Sequence, residues 1–305
     1  QLPCVINSPL RPDNKPSFGL YTRDGVRVFY RDFRTRESGG TIDLLSNLWG
    51  VSYKQTLIRI TEDLPKFAKS NNSVITRSKR HKSRKVYSTG IDLNCKVRPW
   101  KRHDLDYWEQ YGISKEWLEF GRVYPISHTI ITKNNKQIVI PAERYAYAYV
   151  EFKDNVTSLK IYQPYSTLYK WTNKHDSSVW DLWEQLPETG ENLIITSSRK
   201  DALCIWENTE IPSCSLQAES YLPKHHVVQQ LKDRFKNVFV LYDNDFNSEM
   251  NYGRLLGEGM ADEFGLIQLE IPEKYQSKDP SDLCLNFNRQ KVKEVIPCLI
   301  KEKIS

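Results

Sequence analysis

The sequence predicts a multi-domain α/β protein. It has a small β-rich, ribbon-like N-terminal domain, a mixed α+β middle region, and a C-terminal domain on a parallel sheet. Three observations predict this. Val238–Leu241 (VFVL) is a continuous apolar run with β-branched and aromatic bias, as in a strand buried on both faces. From about 189 to 305, strand and helix patterns alternate, which calls for crossover connections and parallel pairing. The first 69 or so residues instead carry short strand patterns and turn residues, followed by a polar, basic stretch.

Composition narrows the class further. The chain has 305 residues, suiting two or three domains, and 39% of them are hydrophobic, which excludes a disordered composition. No apolar run approaches the roughly 18 residues of a membrane span, and Gln1–Cys4 lacks a signal-peptide pattern. A cytoplasmic protein with no membrane partner is expected. The cysteines are scattered, with no Cys-x-x-Cys pair, so reduced thiols are expected rather than a disulfide scaffold or a thiolate metal cage.

In the segment 1–69, strands are expected around Ser17–Tyr21 and Val26–Asp32, joined by a turn at Asp24-Gly25. A helix follows from Thr41, placed as its N-cap after Gly39-Gly40. A second helix is expected over Lys54–Ala68. Residues 70–90 read as a linker. Its Arg77, Lys79, Arg80, Lys82, Arg84 and Lys85 would attract nucleic-acid phosphates in a salt-dependent way, or simply solubilise the tether.

The middle region, 91–188, is rich in aromatics. DYWEQYGISKEWLEFG predicts two helical pieces broken at Gly112, and Asn134-Asn135 between apolar runs predicts a hairpin. Tyr145, Tyr147 and Tyr149 alternate on one face of a strand, as core packing or as a stack for unpaired bases. Lys160 and Lys170 lie among Tyr162, Tyr165, Tyr169 and Trp171. Cations interleaved with aromatics suit a groove for a single strand or a nucleoside triphosphate.

The C-terminal segment, 189–305, has strands at Asn192–Thr196, Ser213–Leu216, Val238–Tyr242 and Leu266–Glu270. Helices fall at Arg199–Glu207, His225–Phe235, Tyr252–Phe264 and near Lys291–Lys301. Asp243 and Asp245 follow the central strand with one residue between them, so both carboxylates project to one side. The carboxyl ends of such strands are where ligands of open α/β sheets bind. Paired carboxylates suit Mg²⁺ or Mn²⁺, although Asp245 could instead cap the next helix.

Two sets of motifs resemble the DNA primases of bacteria and phages. SPLRxxxxPSF, FYxxF and GGxIDxL follow the order of the primase zinc-ribbon domain. The four metal positions would be Ser8, Arg11, Asp32 and Thr35. None is a thiolate or imidazole, so the resemblance implies a ribbon without zinc, held by packing residues such as Pro9, Phe18, Tyr30 and Leu45. The C-terminal half resembles the TOPRIM domain: LIITSSRKDAL for the first strand and helix, Asp243-x-Asp245, and Lys278-Asp279-Pro280. Asp201 matches the helix aspartate, whereas the family glutamate falls on Ser197.

The resemblance implies a primase that joins nucleoside triphosphates into short RNA primers on a single-stranded DNA template. It implies a two-metal site of Mg²⁺ or Mn²⁺ held by Asp243, Asp245 and Asp279. Lys160, Lys170, Arg199 and Lys200 would bind phosphate. A serine hydroxyl cannot replace a carboxylate in acid–base work, so Glu219, after the second strand, is the candidate stand-in. No Gly-x-x-x-x-Gly-Lys-Ser/Thr loop is present, so unwinding would fall to a separate replicative helicase, or the chain would act with a polymerase. The alternatives are a catalytically weakened DNA-binding subunit and a TOPRIM nuclease.

Overall fold

The computed structural model describes residues 2–22, 27–68, 91–134, 136–153, 156–174, 178–219, 221–248 and 250–304. The basic residues from Arg77 to Lys85 and the Asp24-Gly25 turn lie outside them. The chain divides into two units, 1–88 and 89–305.

The first unit is a four-stranded antiparallel sheet in sequence order. Its strands are β1 (Cys4–Ile6), β2 (Phe18–Thr22), β3 (Val28–Asp32) and β4 (Ser38–Gly40). Two helices follow, α1 (Thr41–Trp49) and α2 (Tyr53–Ala68). The N-cap of α1 is Gly40, not Thr41, whose hydroxyl donates instead to the Val28 carbonyl. Phe18 and Tyr30 are buried and stacked, with ring centroids 5.2 Å apart.

Packing does not hold this unit alone. Ser8, Arg11, Asp32 and Thr35, the four positions aligned above with the metal positions of the primase ribbon, converge on the buried Asp32 carboxylate. Ser8 Oγ donates to Asp32 Oδ2 at 2.9 Å. Arg11 donates through Nε to Oδ2 at 3.1 Å and through Nη2 to Oδ1 at 2.9 Å. The Thr35 amide reaches Oδ1 at 3.2 Å, beside that of Arg34. Burial works against the charge, but these donors, Arg11 foremost, hold Asp32 below the usual carboxylate range. An ion pair with its hydrogen bonds thus joins the segments that a metal would join.

The second unit contains two sheets. The first is antiparallel, in the order β10-β9-β8-β6-β5, with a further strand, β7, paired to β6. Its strands are β5 (Ile91–Val97), β6 (Val123–Lys133), β7 (Lys136–Pro141), β8 (Tyr147–Lys153), β9 (Val156–Tyr162) and β10 (Trp171–Lys174). Lys133 pairs with Lys136, so β6 and β7 are the antiparallel neighbours the hairpin expectation requires; Asn135 itself lies outside the described residues. Helices α3 (Arg102–Glu109) and α4 (Lys115–Phe120) are broken around Gly112. Leu93, Ile126, Ala148 and Ile161 form the core on one face. Tyr147 and Tyr149 are buried, which settles the tyrosine stripe as core; base stacking at those two rings is excluded by lack of exposure. Tyr145 precedes the strand.

The second sheet has the order β11-β13-β12-β14-β15. It comprises β11 (Trp180–Asp181), β12 (Gly190–Thr196), β13 (Ser213–Leu216), β14 (Phe235–Leu241) and β15 (Ile267–Gln268). The last four are parallel, and β11 runs antiparallel on β13. Its helices are α5 (Arg199–Thr209), α6 (His225–Arg234), α7 (Tyr252–Phe264), α8 (Pro280–Asn286) and α9 (Arg289–Ile304). The β14 run VFVL is buried throughout, as two covered faces require. No helix among the described residues is long and apolar enough to cross a membrane.

Candidate metal centre

Strand register builds the site. Thr196, the last residue of β12, pairs with Leu241, the last of β14. Ser197 and Asp243 therefore emerge side by side at the carboxyl edge, as strands about 4.8 Å apart dictate. Ser197 Oγ donates to Asp243 Oδ1 at 2.6 Å. Asp201 comes from the first turn of α5, where Ser198 is the N-cap and accepts from the Asp201 amide. Ser198 Oγ donates in return to Asp201 Oδ2.

Asp279 arrives from the other side. The Asn244 amide donates to the Lys278 carbonyl at 2.7 Å, tying the 278–279 backbone to the loop after β14. Asp279 caps α8 by accepting from the Asp282 amide at 2.7 Å. Ser281, in the same turn, donates its hydroxyl to Asp201 Oδ1. Gly253 opens α7 against the Asp243 backbone; a Cβ there would collide with the Asp243 carbonyl oxygen. Glycine permits that approach.

The result is three carboxylates, of Asp201, Asp243 and Asp279, with ligand oxygens all within 4.8 Å of one another. Asp201 and Asp279 are buried, at 2% and 4% exposure. Burial and the Asp201 charge raise both Asp243 and Asp279 above the usual carboxylate range. Lys278 Nζ donates to Asp243 Oδ2 at 2.7 Å and lies 3.7 Å from Asp279 Oδ2. Lys200 sits against the Tyr111 ring at 4.2 Å, and Asp279 and Asp201 raise its pKa against the opposing effect of burial. Burial is the larger cause of the raised Asp243 and Asp279 values, and the charge of Asp201 adds to it despite these two cations. Three clustered hard oxygen donors fit Mg²⁺ or Mn²⁺.

The trio differs from the expected one. Asp245 is not in it: its carboxylate turns to the Gly253 amide at 3.4 Å, and its own amide donates to Asn251 Oδ1. Alternation holds only on an extended chain, and β14 ends at Leu241, before both aspartates. Asp201 takes the third place. Its signal was present in the spacing from Ser197, one helical turn, but only the strand register shows where that turn points.

Glu219 follows β13, the neighbour of β12. Burial, then the charges of Asp243 and Asp245, push its carboxyl up to about 7.

The expected phosphate-binding residues divide. Arg199 is buried, with its guanidinium turned to internal partners. Its Nη2 lies 2.5 Å from Asp181 Oδ1 and 2.9 Å from Glu151 Oε1, and its Nη1 donates to the Gly121 carbonyl at 2.8 Å. Lys160 is also committed internally, donating to the Gln217 carbonyl at 2.7 Å with its ammonium 4.9 Å from the Trp171 ring centre. Burial lowers its pKa. Lys170 is exposed, as are Tyr165, Tyr169 and Trp171, and Lys200 lies beside the carboxylates.

No family model matches the sequence, and no curated protein is detectably similar to it. Among solved structures, the chain is similar to the primase fragment of the bacteriophage T7 primase-helicase protein. They share 17% identity over 70% of this chain and 75% of that one, with a TM-score of 0.42. It is similar to the Aquifex aeolicus primase, zinc-binding and RNA polymerase domains, at 15% identity over 96% and 78%, with a TM-score of 0.45. For the DnaG primase catalytic domain bound to single-stranded DNA the figures are 13%, 65% and 72%, with a TM-score of 0.49. All three are DNA primases.

Proposed function

We propose that the chain is a metal-dependent DNA primase of TOPRIM type. On this reading it binds single-stranded DNA and nucleoside triphosphates and makes short RNA primers during phage-type replication in the cytoplasm, with a separate helicase or polymerase. The observation that carries the reading is the convergence of Asp201, Asp243 and Asp279 at the carboxyl edge of a parallel sheet. The sequence motifs that resemble primases place aspartates at those same positions.

Asp201, Asp243 and Asp279 would hold Mg²⁺ or Mn²⁺. When bound, the ions would lower the pKa of an attacking 3′-hydroxyl and offset charge on the triphosphate. The chain's own groups do the rest. Ser197 orients Asp243 through its hydroxyl, and Ser281 and Ser198 fix Asp201. Lys278 and Lys200 supply positive charge at the edge of the cluster, suited to phosphate oxygens. Glu219, with its carboxyl near neutrality, can hold or release a proton at pH 7 and is the acid–base candidate.

A second reading, a DNA-binding relative without chemistry, is favoured by two observations. Ser197 replaces a carboxylate, and Lys278 already engages Asp243. Primer synthesis with labelled ribonucleotides on varied single-stranded templates decides between them. Product that depends on Mg²⁺ or Mn²⁺ and vanishes in Asp243→Asn supports the primase. Salt-sensitive template binding without product supports the alternative.

A further inference from the structure

The clustered carboxylates are not bare. Asp201 Oδ1 and Oδ2 accept from the hydroxyls of Ser281 and Ser198, and Asp243 Oδ1 accepts from Ser197 Oγ at 2.6 Å. Asp279 Oδ1 accepts from the Asp282 amide at 2.7 Å. The oxygens that remain, Asp243 Oδ2 and Asp279 Oδ2, both face Lys278. Its Nζ stands 2.7 Å from the first and 3.7 Å from the second.

An arriving cation asks different things of these partners. A serine hydroxyl is donor and acceptor, so it can turn and present a lone pair; an ammonium has three donors and no lone pair. It also carries a like charge, and two cations on one pair of oxygens repel strongly. Lys278 has a way out. Its side chain is 44% exposed, against 14% for Asp243 and 6% for Asp279, so it covers the carboxylates from the solvent side. Its backbone is held: the Lys278 carbonyl accepts from the Asn244 amide at 2.7 Å, and the preceding Ser277 is buried. Departure therefore needs only rotation of an exposed side chain. Against the effect of burial, Asp243 holds Lys278 above the usual lysine range, so the group that leaves is a full charge at neutral pH.

We propose that Lys278 is a resident counter-ion that a divalent cation displaces: ammonium and ion occupy the Asp243 and Asp279 oxygens in turn, never together. The inference rests on the metal-dependent reading above and adds an exchange to it. The ammonium reaches two of the aspartates. An ion with twice the charge, at about 2.1 Å from each ligand, can gather Asp201 as well. Without metal, Lys278 makes the neighbouring carboxylates tolerable to one another. With metal, its ammonium is released at the solvent edge beside the ion. A lysine between candidate ligands is then part of how the site takes up metal, not a sign that the site is lost.

The test uses the full chain, with Mg²⁺ or Mn²⁺ alone as the probe. Reductive methylation with labelled formaldehyde, read residue by residue by mass spectrometry, reports whether the Lys278 amine is free, and needs no variant. Saturating Mg²⁺ should raise its labelling about fivefold or more as the paired fraction empties. Mn²⁺ affinity, read by electron paramagnetic resonance, should tighten about tenfold or more in Lys278→Met, because the competitor is gone. Lys200→Met is the control. It removes a charge from the same neighbourhood, but that ammonium lies over the Tyr111 ring, so its gain should be smaller. Both variants are checked for folding by circular dichroism. Unchanged Lys278 labelling with the ion bound, or Mn²⁺ affinity that is unchanged or weaker in Lys278→Met, overturns the exchange and leaves the metal site standing. An equal gain in the two variants reduces the effect to general charge and also overturns the exchange. Absence of Mn²⁺ binding in the full chain and in Lys278→Met alike overturns the metal site, and the exchange with it.

Discussion

Arg11 grips Asp32 with two guanidinium nitrogens, Nη2 on Oδ1 at 2.9 Å and Nε on Oδ2 at 3.1 Å, across 21 residues of chain. The pair joins the loop after β1 to the end of β3. Asp32 is buried, so removing Arg11 leaves a charge without its counterion. Arg11→Met should destabilise the 1–88 unit by about 3 kcal/mol, read by hydrogen exchange in β2 and β3 of the full chain. Chelators should leave that exchange unchanged.

The same carboxylate sets an acid limit. Its folded pKa is below its unfolded value, so its stabilisation is full above the unfolded pKa and is lost as pH falls through the folded one. The opening free energy of the first unit, taken from exchange rates corrected for their intrinsic pH dependence, should be flat from about pH 5 to 8 and fall in more acid solution. Asp32→Asn should remove that acid dependence.

Glu219 behaves oppositely. Its pKa is raised to about 7, so the folded chain holds a proton that the unfolded chain has released. Between the ordinary glutamate value and about 7, stability should therefore fall as pH rises. Melting temperature against pH measures this. Glu219→Gln should flatten the slope, and Mn²⁺ should reduce it by offsetting the neighbouring carboxylates.

Arg199 tests how much of the expected phosphate site is structural. Asp181 and Glu151 are both buried against it. Arg199→Met should cost about 3–5 kcal/mol and lower the melting temperature with or without nucleotide. A variant that folds normally but loses nucleotide binding would restore the sequence-based role.

These cases show what the sequence makes legible. The VFVL run announced β14 because a strand covered on both faces has no polar positions to interrupt it. Helices α5 and α7 began where expected because Ser198 and Asn251 supply side-chain caps. The burial of Arg199 was not legible because a buried arginine, ion-paired to Asp181 and Glu151, looks the same in one dimension as a surface one. Asp245 lies outside the carboxylate cluster because the chain stops being extended after Leu241, so its alternation with Asp243 does not hold. The spacing from Ser197 marked Asp201 but not its neighbours, and the Arg11–Asp32 pair depends on a contact between distant segments that no local spacing encodes.

Mn²⁺ titration of the full chain and of single Asp→Asn variants tests the central claim most directly. If Asp201, Asp243 and Asp279 share one ion, each of those three changes should weaken Mn²⁺ binding at least about tenfold, whereas Asp245→Asn should leave it within about threefold. Equal binding by all four variants, or loss only in Asp245→Asn, would contradict it.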